Sequence, residues 1–94
     1  MKFDPTQHLH LGYYENGADL EAIAYKIQNE NKWVVFFDMG HDAEIVKKIS
    51  GRYEHHEGYG YKIFTVDAED LSYEAGSRLF AEWLKENQII ETLK

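Results

Sequence analysis

Two histidine patterns carry the side chains best suited to chemistry. Glu54, His55, His56 and Glu57 are consecutive and lead into Gly58, Tyr59, Gly60 and Tyr61, while His8 and His10 are separated by one residue. On an extended chain, residues two apart share a face with Cα atoms about 6.6 Å apart. Two imidazoles so placed can share a metal ion at about 2 Å each. Asp38 and His41 follow the most apolar run of the chain, and Asp42 adjoins them. Imidazole and carboxylate together suit zinc, manganese or iron(II). His8, His10, Asp38 and His41 are therefore the candidate metal ligands, with His55 and His56 as further donors. A divalent-metal enzyme or sensor, with zinc the typical ion, is one reading of this set. The plainer reading has no cofactor and treats the histidines as surface polar residues, still able to change charge near neutral pH.

Acidic side chains form the second pattern. Between Tyr53 and Ala75 stand Glu54, Glu57, Asp67, Glu69, Asp70 and Glu74 against Lys62 alone, among Tyr53, Tyr59, Tyr61, Phe64 and Tyr73. Tyrosine offers contact area at small entropic cost, and an acidic array draws basic partners from a distance. Tyr53, Glu54, His55, His56, Glu57, Tyr59, Glu69, Asp70 and Glu74 are accordingly the candidate partner-binding residues. The plainer reading makes these a solvated helix start and core aromatics.

Other chemistries are disfavoured. The chain has no cysteine, which removes disulfides, thiolate metal sites and cysteine nucleophiles. Its serines sit in no Gly-x-Ser-x-Gly elbow. Gly58-Tyr59-Gly60 lacks the third glycine and the lysine of a phosphate loop, and it precedes a strand rather than opening a helix. A net charge of −7 speaks against duplex nucleic acid. The longest apolar run, Trp33 to Phe37, is far short of the roughly 20 residues of a membrane span. Met1 to Thr6 shows no signal-peptide pattern, so a cytoplasmic location is expected.

The elements that would position these residues follow from periodicity. With 94 residues, 44% hydrophobic and 15% aromatic, residues 1–94 are expected to form one domain with one core. His8 to Tyr14 alternates as a strand. Leu20, Ile23, Ala24 and Ile27 recur at helical spacing, predicting a helix over 18–31 capped by Asn16. Trp33 to Phe37 is apolar on both faces, as in a central strand. Asp42 opens a short helix carrying Ile45, Val46 and Ile49, which Gly51 stops in a left-handed conformation. A loop runs from Arg52 to Gly60, and Tyr61 to Val66 is a strand. Ser72 caps a helix over 73–87 whose inward face holds Gly76, Leu79, Phe80, Trp83 and Leu84. Residues 88–93 form either an edge strand or a continuation of that helix.

The expected fold is α/β: a small sheet of three to four strands packed with two long helices and one short helix. A thioredoxin-like or doubly wound parallel sheet is preferred, with the ferredoxin-like plait as alternative. The preferred function is a small acidic cytoplasmic binding protein of inhibitor, immunity or adaptor type that recognises a basic protein. No catalytic residue can be assigned. The alternatives are the metal-dependent enzyme or sensor and a self-associating structural subunit.

Overall fold

Alternation, not helical spacing, governs the first third of the chain. The structure, a computed structural model, describes residues 2–15, 17–37 and 43–90. Strand β1 spans Phe3–Tyr13, β2 Leu20–Ile27 and β3 Trp33–Phe37. Helix α1 (Ala43–Ser50) follows, then the two-residue strand β4 (His55–His56), strand β5 (Gly60–Val66) and helix α2 (Tyr73–Glu86). The strands form one sheet in the order β1-β2-β3-β5-β4, and every pairing is antiparallel.

The expected fold class is therefore corrected on three counts. Among the described residues there are five paired strands, one long helix rather than two, and no parallel pair, which removes the thioredoxin-like and doubly wound topologies. The ferredoxin-like plait fails as well, because β1, β2 and β3 form a meander with no helix between them. The physical cause lies in β2. Leu20, Ala22 and Ala24 face the main core, while Ile27 and Tyr25 face a second, smaller cluster. Both faces are covered, so two apolar sets of period two overlap and their sum imitates a helical stripe. Aromatic and β-branched residues suit the pleated surface.

The hairpin from β2 to β3 closes where Ile27 N donates to the Lys32 carbonyl at 2.9 Å. Asn29 adopts a positive φ of 65° there, which asparagine tolerates better than most residues. Trp33–Phe37 is a fully buried central strand, as its composition requires. Its two apolar faces do not mean parallel neighbours. One face meets Phe80, Trp83, Leu84, Ile45 and Ile49 from the helices. The other meets aromatic side chains: Phe36 lies 5.8 Å from Phe3, 5.8 Å from Tyr25 and 5.2 Å from Tyr59 between ring centroids.

Helix α2 follows its sequence closely. The Ser72 hydroxyl accepts from Ala75 N at 3.0 Å, and Gly76, Phe80, Trp83 and Leu84 are buried. Gly76 lets the helix approach β1, since a Cβ there would sit 2.6 Å from Leu11 Cδ2. Asn87 caps the far end, its Nδ2 donating to the Trp83 carbonyl at 2.9 Å. Gly51 is not among the positive-φ glycines, so the left-handed stop predicted for α1 is absent. Instead, Arg52 N and Tyr53 N both donate to the Ile49 carbonyl at 3.0 Å. Residues 88–90 are neither strand nor helix, and 91–93 lie outside the described residues. No described helix is long and apolar enough to cross a membrane.

Both sheet edges are blunted. Residues 4–7 of β1 bulge opposite β2, between the pairs Phe3–Ile27 and His8–Tyr25. Asp4 clips the bulge, accepting from Thr6 N at 2.9 Å, Thr6 Oγ1 at 2.7 Å and Gln7 Nε2 at 3.2 Å. Gly12 N donates to Ser77 Oγ at 3.1 Å, and β4 is only two residues long. Irregular and short edges resist pairing with a second chain.

Candidate functional site

The predicted loop over 52–60 contains a hairpin. His55 pairs with Tyr61 and His56 with Gly60, and Gly58 and Gly60 take φ of 87° and 116°, conformations that favour glycine. Adjacent residues of a strand face opposite ways, so the two histidines diverge. His55 packs on Tyr61 at 4.9 Å, and His56 packs on Phe36 at 5.5 Å between ring centroids. His56 Nε2 lies 2.9 Å from Glu54 Oε1 in an exposed pair of small energetic weight. Tyr59 folds over the sheet, its ring 5.1 Å from Phe3 and 4.9 Å from Tyr25.

His8 and His10 do share one face of β1, with ring centroids 5.9 Å apart. They sit mid-strand rather than at its start, and His8 also neighbours Tyr25 at 6.1 Å. Asp38, His41 and Asp42 lie outside the described residues. Among the described residues no three histidine or carboxylate groups gather to hold a metal ion.

The candidate partner-binding residues fall into four places. Glu54, His55, His56, Glu57 and Tyr59 belong to the hairpin at the β4 edge. Tyr53 is turned inward: its hydroxyl accepts from Trp83 Nε1 at 3.1 Å and donates to Asn87 Oδ1 at 3.0 Å. Glu69 and Asp70 lie in the segment after β5, where the Glu69 carbonyl accepts from Trp33 Nε1 at 3.4 Å. The length of β5, roughly 20 Å, separates that segment from the hairpin. Glu74 belongs to the first turn of α2, whose other end holds Tyr53.

One acidic and aromatic surface was not marked in the sequence. Tyr14 and Tyr73 are the most exposed large rings among the described residues, at 56% and 49%. The Tyr14 ring lies back across Gly12, where any Cβ would overlap it, and its hydroxyl donates to Glu21 Oε2 at 3.4 Å. Partial desolvation pushes the Tyr14 hydroxyl above the usual tyrosine pKa; the charge of Glu21, then Tyr73, a hydrogen bond to Glu21 and the charge of Asp19 push the same way. Tyr14, Tyr73, Glu21 and Asp19 are thus electrostatic neighbours, and Glu74 follows Tyr73 in the first turn of α2. The only signal in the sequence was the pair Tyr13-Tyr14 at the end of an alternating strand, where one ring must face away from the core.

Two basic side chains near α1, Lys48 and Arg52, are engaged locally. Lys48 Nζ donates to the Ile89 carbonyl at 3.1 Å, and Arg52 donates to the Lys48 and Asn87 carbonyls at 3.1 and 3.4 Å. They neutralise carbonyls at helix ends rather than form a phosphate-binding face.

No curated protein and no solved structure matches the chain significantly. Residues 1–87 match the family model described as "Protein of unknown function (DUF3986)", and the chain belongs to that family.

Proposed function

We propose that this member of the DUF3986 family is a small acidic binding protein of the cytoplasm, of inhibitor, immunity or adaptor type, whose partner is a basic protein. The supporting observation is the pair of outward tyrosines, Tyr14 and Tyr73, with Glu21 and Asp19 acting on Tyr14 and Glu74 following Tyr73 in the first turn of α2. Exposed tyrosine is a favoured interface anchor, and surrounding carboxylates steer a cationic partner and set its orientation. The net charge of −7 adds long-range attraction for such a partner and repulsion for duplex nucleic acid. Of the residues marked in the sequence, Glu74 adjoins Tyr73 in the first turn of α2 and adds its charge to this surface. Glu69 and Asp70 extend the acidic field on the approach to α2, while the hairpin residues from Glu54 to Tyr59 form a separate contact area. Tyr53 acts from within, fixing the end of α2.

The test compares immobilised wild-type protein with the variant Tyr14→Ser, Tyr73→Ser, Glu74→Lys, with proteins retained at low and high salt identified by mass spectrometry. A basic protein held by wild type at low salt, released by salt and lost from the variant is the expected result. Retention that is identical for the two baits removes this surface from consideration.

A further inference from the structure

Three of the ten basic residues of this acidic chain line a single cleft on the sheet face away from the helices. Its volume is about 460 Å³, within the range of small-molecule sites, and its walls come from the N-terminal segment, the β2–β3 hairpin and β5. Lys2, Lys32 and Lys62 supply the charge, Thr65 a hydroxyl, and Ile27 and Val34 an apolar floor. Glu30 is the one carboxylate among the described lining residues, leaving a local excess of positive charge in a molecule of net charge −7. Lys32 is the only one of the three with an ion-pair partner among the described residues, Asp67 at 3.8 Å, and that carboxylate is largely exposed. So loose a pair is easily exchanged for a stronger anion.

From this arrangement we infer that the cleft binds a small phosphomonoester. Lysine ammonium groups are mobile point charges that can meet the several oxygens of a tetrahedral phosphate. Planar carboxylate recognition favours arginine, and no arginine lines the cleft. The volume exceeds what a bare phosphate needs, and the organic part of the ligand rests on Ile27 and Val34. This site lies apart from the Tyr14–Tyr73 surface and acts independently of any protein partner.

Amide chemical shifts of labelled full-length protein, titrated at low ionic strength with inorganic phosphate and with phenyl phosphate, test the assignment. The expected result is saturable shifts at Gln28, Asn29, Lys62 and Thr65 with both probes. Phenyl phosphate binds roughly tenfold more tightly, as burial of a few CH₂-sized groups would give. Lys62→Gln and Lys32→Gln each weaken phenyl phosphate roughly tenfold, the scale of a charge-assisted hydrogen bond, while Glu30→Gln tightens it. The wild-type amide pattern outside the cleft verifies that each variant is folded. Absence of saturable shifts, shifts unaffected by these variants, or equal affinity for the two probes overturns the proposal.

Discussion

Tyr53→Phe isolates the energetic role of one hydroxyl. Trp83 Nε1 donates to that hydroxyl, the hydroxyl donates to Asn87 Oδ1, and Asn87 Nδ2 donates back to the Trp83 carbonyl, at 3.1, 3.0 and 2.9 Å. This closed relay ties the segment after α1 to the last turn of α2. Phenylalanine keeps the ring in its place 5.4 Å from Trp83 and under the Arg52 guanidinium at 5.8 Å, so apolar burial is conserved. What is lost is two hydrogen bonds, each contributing about 0.5–1.5 kcal/mol. Asn87 is half-buried and can turn to water, whereas Trp83 is buried and its Nε1 cannot do so freely. The middle of the range, about 2 kcal/mol, is therefore expected, which for a domain of this size lowers Tm by about 8–16 °C. Urea unfolding reads the loss as a lower midpoint at unchanged slope. A double-mutant cycle with Asn87→Ala should give a coupling of at least about 0.5 kcal/mol. An unchanged midpoint, or strict additivity in the cycle, refutes the relay.

Other substitutions probe separate contacts. Gly76→Ala should destabilise by about 1–2 kcal/mol in urea despite the better helix propensity of alanine, because its Cβ meets the fully buried Leu11; Gly51→Ala, with nothing within 4 Å, should be neutral or slightly stabilising. The folded pKa of Tyr14 lies above its unfolded value of 10.0, so its contribution to stability is complete below that value and lost as pH rises through the folded one; Tyr14→Phe should remove this part of the alkaline decline in denaturation midpoints. The pKa of Asp4 is depressed below 3.8, first by the Thr6 hydroxyl and then by Thr6 N–H, so its contribution is present above 3.8 and disappears as pH falls through the folded value. Asp4→Ala should flatten that part of the acid limb, and an unaltered limb would show the clip to be energetically silent.

Legibility in the sequence tracked how local the governing physics was. Helix α2 was readable because Ser72, the Gly76–Phe80–Trp83–Leu84 stripe and Asn87 are all set within the helix itself. Strand β3 was readable from composition alone. Strand β2 was not, since its helical appearance came from residues serving two different cores, and the second core is assembled from Phe3, Tyr25 and Phe36, which are far apart in the chain. Misreading β2 then hid the antiparallel order and left Tyr14 without a place. The shared face of His8 and His10 was readable from their spacing, while His55 and His56, offered as further donors, diverge because they are adjacent on a strand. The acidic stretch looked continuous in sequence, but β5 and α2 carry its parts to different regions of the surface.

The contact of Phe3 with Tyr59, 5.1 Å between centroids, joins the first strand to the last hairpin across the breadth of the sheet. Such a contact closes one of the longest loops available to this chain, and the entropy of that closure is recovered only after the intervening strands are aligned. Tyr59 should therefore dock late in folding, leaving Phe36 transiently exposed in the preceding species. Substituting Tyr59 with alanine would then accelerate unfolding while hardly changing the folding rate, so that the aromatic roof governs the lifetime of the native state more than the speed of reaching it.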